Sequence, residues 1–119
     1  MTTYSRGDVV LVPFPFAELD GTKRRPALVV SSDEYNRRNR AVLIAQITSK
    51  MDGRPRLGDQ KLAEWKKAGL LAPSLFRCHL ATVKEALIIR KLGKLPSGDM
   101  SSVDEKLATV LDLSTISRD

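Results

Sequence analysis

Two short runs of apolar, mostly β-branched residues in the first third of the chain constrain its fold most strongly. The first run, Val9 to Val12, ends at Pro13, and the second, Ala27 to Val30, follows Pro26. Runs of this length are too short for a helix and are typical of buried strands. A proline lacks the backbone N–H and suits the first residue of a strand. The stretch from Arg6 to Ser32 is therefore predicted to be two strands joined by a loop.

The connection between these two strands is polar and basic. Asp20-Gly21 is a turn signal, and three cations stand just before the second strand: Lys23, Arg24 and Arg25. The proline after Arg25 biases that residue towards an extended backbone. We therefore expect the Arg25 guanidinium to be aimed from the end of the loop.

The middle of the chain continues in short segments. Ser32 to Arg40 is polar and is predicted to be a connection rather than a helix or strand. Ala41 to Ile47 is predicted to be a buried strand, and Leu75 to Leu80 a further strand. Lys50 to Asp59 carries two glycines, one proline and three cations, which predicts a mobile basic loop.

The last third of the chain is predicted to end in a helix. Ser102 and Glu105 have the spacing of a capping box, and an apolar stripe follows from Val103, Leu107, Val110 and Leu111. Ala86 to Ile89 is compatible with the start of a final strand, and Leu87 to Leu95 also with a helix. An amphipathic turn or short helix is predicted from the spacing of Leu62, Trp65, Leu70 and Leu71.

Composition and charge bound the class of protein. A chain of 119 residues, 42% of them hydrophobic, is one globular domain spanning residues 1–119. A net charge of +6 predicts an anionic partner, whether RNA, DNA or an acidic protein. Lone Cys78 excludes an internal disulfide and favours a reducing compartment. The sequence shows no signal peptide and no run of membrane-spanning length, so we expect a cytoplasmic bacterial protein.

Short strands, basic loops and a closing helix favour a mainly β fold, a small and partly open barrel, although the pattern is also compatible with an α+β sandwich. The chain resembles the PemK/MazF family of toxin ribonucleases from bacterial toxin–antitoxin pairs. The matching segments, in order, are Arg6-Gly7-Asp8, Pro13-Phe14, Arg24 to Val30, Ile44 to Thr48, and Pro73-Ser74 onward. This resemblance implies an SH3-like barrel of the type shared by CcdB and MazF, with a C-terminal helix. It also implies a homodimer that binds single-stranded RNA and a cognate acidic antitoxin.

The residues that are missing limit the possible chemistry. His79 is the only histidine, so a two-histidine acid–base mechanism is impossible. One cysteine and one histidine at adjacent positions cannot form a tetrahedral zinc shell. We therefore expect no metal and no cofactor, which leaves Arg25, Thr48 and nearby carboxylates for catalysis.

By resemblance, Arg25 and Thr48 match the arginine and threonine that carry catalysis in the family. A guanidinium can hold a phosphate and neutralise charge that grows in the transition state, but it is a poor base. Asp20 matches the position of the family's acidic residue, and Glu18 is close enough to replace it, so the proton acceptor stays open. Asp20 is equally compatible with an ordinary turn residue, and Thr48 alone with a strand-end cap.

The predicted substrate-binding residues are mostly basic and lie in two loops and one strand. Three cations next to the end of the Thr48 strand favour a track for phosphates. His79 is compatible with substrate contact or with a half-buried strand position. The full set is Lys23, Arg24, Ser49, Lys50, Arg54, Arg56 and His79.

Three functions follow from these observations. The first is an endoribonuclease toxin that cuts single-stranded RNA by attack of the 2′-hydroxyl and is silenced by an antitoxin. The second is a gyrase-poisoning toxin of the CcdB type, which needs no phosphate chemistry. The third is a non-catalytic RNA-binding barrel. The placement of Arg25-Pro26 and Thr48 favours the first.

Overall fold

The computed structural model describes residues 3–13 and 23–113. Within these ranges the strands are β1 (Asp8–Pro13), β2 (Arg24–Val29), β3 (Ala41–Thr48), β4 (Gln60–Lys61), β5 (Leu75–Lys84) and β6 (Arg90–Lys94), and the helices are α1 (Asp33–Asn39) and α2 (Ser97–Leu111). The strands form one antiparallel sheet in the order β4-β5-β3-β2-β1-β6. The prediction of a mainly β chain that ends in a helix is confirmed.

The central strands are buried on both faces, which explains why their sequences are almost continuously apolar. On one face, Leu28, Ala45 and Phe76 form a core with Val103 and Leu107 of α2. The opposite face carries a second buried cluster, which includes Val10, Val12, Ala27, Val29, Val42, Ile44 and Val83. The sheet curls into a half-barrel, and α2 packs against the face that carries Leu28, Ala45 and Phe76.

The segment predicted to be a connection is in fact a helix. Ser32 caps α1, because its side chain accepts a hydrogen bond from the Tyr35 backbone N–H at 3.1 Å. Acidic residues occupy the first turn and basic residues the last, in agreement with the helix dipole. The side chain of buried Asn36 donates to the Tyr4 carbonyl at 2.9 Å. The helix therefore has capping signals but no apolar stripe, so hydrophobic periodicity does not indicate it.

Three predictions near the C-terminus also need correction. Helix α2 begins at Ser97, five residues before the predicted cap, and the Ser102 hydroxyl donates to the Gly98 carbonyl instead of forming a capping box. Pro96 precedes the helix, with a fixed φ suited to that position. The final strand, β6, begins at Arg90 after a 3-10 turn at Glu85–Leu87, so neither the earlier strand start nor the helix is found.

The segment between β4 and β5 folds as a series of turns. Leu62 and Leu70 are buried and Trp65 packs partly against the core, as their spacing predicts, whereas Leu71 is 98% exposed. The Asp99 carboxylate fixes this segment by accepting hydrogen bonds from the Ala63 and Glu64 backbone N–H groups, both at 2.9 Å. In the part of the chain that the structure describes, no helix is long and apolar enough to cross a membrane.

Candidate active site

The pairing of β2 with β3 brings Arg25 and Thr48 to the same end of the same sheet face. Ala27 is the register partner of Gln46, and Arg25 and Thr48 each lie two residues beyond these positions. Side chains two residues apart on a strand share a face. All four side chains therefore lie on the face that carries the Val10 and Ala27 cluster. Pro26 places Arg25 in extended geometry next to Val12 of β1.

A cavity of about 170 Å³ opens at this place. Its walls combine a guanidinium, an amide, two hydroxyls and an ammonium group with a few apolar contacts, and its lining residues are Arg25, Pro26, Gln46, Ile47, Thr48, Ser49 and Lys50. Cations and hydroxyl donors that converge on one small cavity suit a phosphate group. Gln46 is a polar residue that the site prediction did not include. The sequence signal that could have identified Gln46 is its place as a polar residue in an otherwise apolar strand, two residues before Thr48.

The Thr48 hydroxyl has one hydrogen bond that defines its role. Its oxygen accepts from the Lys50 backbone N–H at 3.1 Å, so Thr48 does cap the turn at the end of β3. A hydroxyl that accepts in this way still has its own hydrogen to donate. Thr48 can therefore cap the turn and donate to a phosphate oxygen at the same time.

The structure separates the other predicted basic residues. Arg24 alternates with Arg25 along β2, so their side chains leave opposite faces of the sheet. Lys23 is exposed next to Arg24. Arg54 lines a second cavity beside the first, and the Arg56 backbone N–H donates to the Asp59 carboxylate. The acidic candidates Asp20 and Glu18 lie outside the described residues.

An irregularity in β5 displaces His79. Ala45 pairs with Leu80 and the next residue, Gln46, pairs with Arg77, so Cys78 and His79 form a bulge between them. Cys78 packs partly against the helix-side core, and burial raises the pKa of its thiol. His79 is half-buried and is not among the described residues that line either cavity.

The bulge also places an arginine that the site prediction did not include. Arg77 lies opposite Gln46 and forms a bidentate ion pair with Asp59, with Nε donating to Oδ1 at 3.0 Å and Nη2 to Oδ2 at 2.9 Å. The exposed fractions of the two side chains are 17% and 9%. The hydrogen bond from Arg77 holds the pKa of Asp59 below its usual range, and the same bond raises the pKa of Arg77. In the described chain, no group of three or more His, Cys, Asp or Glu side chains could hold a metal ion.

The depressed pKa of Asp59 predicts how stability depends on pH. We expect Asp59→Asn to lower the free energy of unfolding at pH 7 by about 1.5–3 kcal/mol, as for hydrogen bonds to charged groups. The contribution of the pair is complete above the unfolded pKa, near 3.8. It is lost as the pH falls through the lower folded pKa. Urea unfolding of both proteins at several pH values measures this difference.

The matched control is Asp104→Asn, which breaks the more exposed pair between Arg6 and Asp104. An exposed pair contributes about 0–1 kcal/mol, so this variant should unfold nearly as the wild type does at pH 7. A difference between Asp59→Asn and wild type that stayed constant down to pH 2 would contradict the assignment.

Comparisons with known proteins identify the family and the fold of the chain. The sequence model described as "PemK-like, MazF-like toxin of type II toxin-antitoxin system" matches residues 5–111. A comparison with curated protein sequences found no significant match. A mycobacterial endoribonuclease solved with its cognate antitoxin has a TM-score of 0.76 at 21% identity, over 96% of this chain and 100% of that chain. MazF from Deinococcus radiodurans has a TM-score of 0.75 at 23% identity, over 95% and 100%. The Mycobacterium tuberculosis toxin MazF-mt6 has a TM-score of 0.70 at 21% identity, over 90% and 98%.

Proposed function

This chain belongs to the PemK-like, MazF-like toxins of type II toxin–antitoxin systems, and from that premise we propose that it is a cytoplasmic endoribonuclease that cuts single-stranded RNA at short motifs. The observation that carries the proposal is the cavity shared by Arg25, Thr48 and Lys50. It offers two cations and a hydroxyl donor to one phosphate group, at the ends of the paired strands β2 and β3. Solved structures described as endoribonucleases share this fold.

The chemistry uses the substrate's own nucleophile. The 2′-hydroxyl oxygen forms a bond to the adjacent phosphorus while the bond from phosphorus to the 5′-oxygen breaks. The Arg25 guanidinium neutralises the charge that grows on the non-bridging oxygens, and the Thr48 hydroxyl donates to one of them. A carboxylate accepts the 2′-hydroxyl proton, for which we propose Asp20, and the departing 5′-oxygen takes up a proton from water. The products are a 2′,3′-cyclic phosphate and a 5′-hydroxyl end, and the reaction requires no metal and no cofactor.

The test is to incubate the purified protein with single-stranded RNA in the presence of EDTA and to analyse the ends of the products. Cleavage with cyclic phosphate and 5′-hydroxyl ends supports the proposal. Binding of RNA without cleavage would make the protein an RNA-binding barrel. Inhibition of gyrase without RNA cleavage would make it a CcdB-type toxin.

We further propose that an acidic antitoxin segment competes with RNA for this surface. The loop formed by residues 50–59, here called the basic loop, carries Lys50, Arg54 and Arg56, all exposed. Exposed cations bind a phosphate backbone and an acidic peptide by the same electrostatics. A structure with the same fold is that of an endoribonuclease in complex with its cognate antitoxin, which supports a partner of this kind.

Charge reversal in the basic loop tests this competition. We expect Arg54→Glu combined with Arg56→Glu to weaken both RNA and antitoxin binding, because both ligands are anionic. If both side chains contact phosphates, the slope of log affinity against log salt for RNA should become shallower by about 1.4, from about 0.7 per contact on a single strand. Fluorescence anisotropy at several salt concentrations measures both ligands. Simultaneous binding of RNA and antitoxin, with neither changing the other's affinity, would contradict the shared surface.

We also propose that the protein forms a two-fold homodimer. Several large apolar side chains are exposed in the described chain, among them Leu80, Leu87, Val110, Leu111 and Leu113. Closed two-fold dimers are the commonest way for small soluble proteins to bury such surface. Analytical ultracentrifugation at micromolar concentration should give about twice the mass of the chain. A monomer at that concentration would exclude the dimer.

A further inference from the structure

The end of the basic loop is tied to β5 by a half-buried ion pair. Asp59 ends the loop, and both of its carboxylate oxygens accept hydrogen bonds from the Arg77 guanidinium. Oδ2 also accepts from the Arg56 backbone N–H at 2.9 Å, and the Asp59 backbone N–H donates to the Arg56 carbonyl at 2.9 Å. Asp59 therefore closes a turn in the loop and ties that turn to β5.

Close packing around Gly58 is a second restraint on the end of the basic loop. Gly58 has a φ of +96°, and a Cβ atom there would lie 2.7 Å from Val110 Cγ2 and 3.0 Å from Cys78 Sγ. The backbone just before Asp59 is thus pressed against α2 and β5. At Gly53, by contrast, a Cβ would have no neighbour within 4 Å. The loop is therefore fixed at its end and open at its tip.

The fixed loop encloses a second cavity of about 270 Å³ beside the first. The residues that line the two cavities are consecutive in the chain at one point: Lys50 lines the first cavity and Met51 lines the second. Met51, Pro55 and Leu75 provide apolar walls, and Asp52, Arg54 and Lys61 provide polar groups. Apolar walls with polar groups around them suit a nucleobase, whose faces are apolar and whose edge forms hydrogen bonds.

We propose that Asp59 and Arg77 are positioning residues, which hold the basic loop so that this second cavity receives the base next to the cleaved phosphate and selects the sequence that is cut. This inference rests on the proposed function. Arg77 lies opposite Gln46, which lines the first cavity, so the pair stands between the reacting phosphate and the loop. The charge of Arg77 is already balanced by Asp59, which makes Arg77 a weak phosphate clamp.

A loop that is fixed before the substrate arrives loses less conformational entropy on binding. Release of the loop should therefore weaken binding and base discrimination more than the chemical step. The depressed pKa of Asp59 supports this role, since the pair stays ionised over the whole neutral range.

The experiment compares Asp59→Asn and Arg77→Gln with Asp104→Asn, the variant of the remote Arg6–Asp104 pair. Cleavage of a randomised RNA pool, read by sequencing the 5′-hydroxyl ends, gives the base preference beside the cut. We expect both variants to lose about 10-fold or more of the wild-type discrimination, within the usual range for one binding pocket. KM should rise about 10-fold while kcat changes less than about threefold, which is the pattern for lost ground-state binding. The control should behave as the wild type does.

A second arm separates this inference from the proposed function. The same variants are tested for selective binding to a randomised 2′-O-methyl RNA pool, which cannot be cut by 2′-hydroxyl attack. If the wild type binds RNA selectively but cuts no RNA, the proposed ribonuclease activity is refuted. The effect of the variants on that binding preference then still tests the role of Asp59 and Arg77. If folded Asp59→Asn and Arg77→Gln proteins keep the wild-type preference in both arms, the positioning role is wrong.

The variant Met51→Ala covers the case in which the ion-pair variants do not fold. Met51 is 39% exposed and lines the second cavity without belonging to the pair, so its loss should leave the fold intact. A shifted base preference in Met51→Ala supports the base pocket. An unchanged preference, or no base preference in the wild type in either arm, overturns it.

Discussion

Replacing Arg25 with alanine is expected to lower kcat/KM for RNA cleavage by about 100- to 1000-fold, equivalent to about 3–4 kcal/mol of transition-state stabilisation. The reason is that the guanidinium lines the cavity beside Thr48 and Lys50, where negative charge grows on the phosphate during the reaction. Most of the loss should appear in kcat, because the interaction strengthens as that charge develops. Single-turnover cleavage of a short RNA, with folding checked by circular dichroism, measures the effect.

Arg24→Ala is the matched control for this experiment. It removes the same side chain one residue earlier, from the opposite face of β2. Removal of an exposed cation should weaken RNA affinity and its salt dependence slightly, with little change in kcat. Equal losses in the two variants would mean that general positive charge, rather than the cavity, carries the effect. A folded Arg25→Ala protein that cuts at the wild-type rate would refute the proposed role of Arg25.

The core of the fold was predictable because its strands are buried on both faces. Val9 to Val12, Ala27 to Val30 and Ala41 to Ile47 are short and apolar, and each is found in β1, β2 or β3 with small shifts at its ends. The local sequence is enough to predict such segments as strands, because their continuous run of apolar residues is typical of buried strands. The proximity of Arg25 and Thr48 follows from the same information once β2 and β3 are paired.

The misplaced elements depend on contacts that sequence periodicity does not report. Helix α1 is stabilised by the Ser32 cap and by buried Asn36, which bonds to Tyr4 more than thirty residues earlier in the sequence. The start of α2 is set by Pro96, and Asp99 in its first turn binds the backbone of the segment after β4. Asp59 and Arg77 are separated by 18 residues and meet through the pairing of β4 with β5. Tertiary contacts of this kind override local preference.

The largest loss of folding stability among the proposed variants is expected at Gly69, where two backbone segments approach each other closely. A Cβ atom at Gly69 would lie 2.2 Å from the Leu92 carbonyl oxygen, and one at Gly93 would lie 2.3 Å from the Ala68 carbonyl oxygen. The turn after β4 and strand β6 therefore touch backbone to backbone. Neither side can yield by moving a flexible side chain, because the atoms in contact belong to the main chain.

We therefore expect Gly69→Ala to lower the free energy of unfolding by about 4 kcal/mol or more, in the range where a single substitution is exceptionally damaging. Gly53→Ala is the control, because Gly53 has nearly the same φ, +89° against +87°, but a Cβ there would meet nothing within 4 Å. That variant carries only the conformational strain of a left-handed residue, about 1–2 kcal/mol. Urea denaturation of both proteins isolates the steric part as the difference between them. Equal destabilisation would show that the backbone angle alone matters, and that the contact between Gly69 and Leu92 is looser than its geometry indicates.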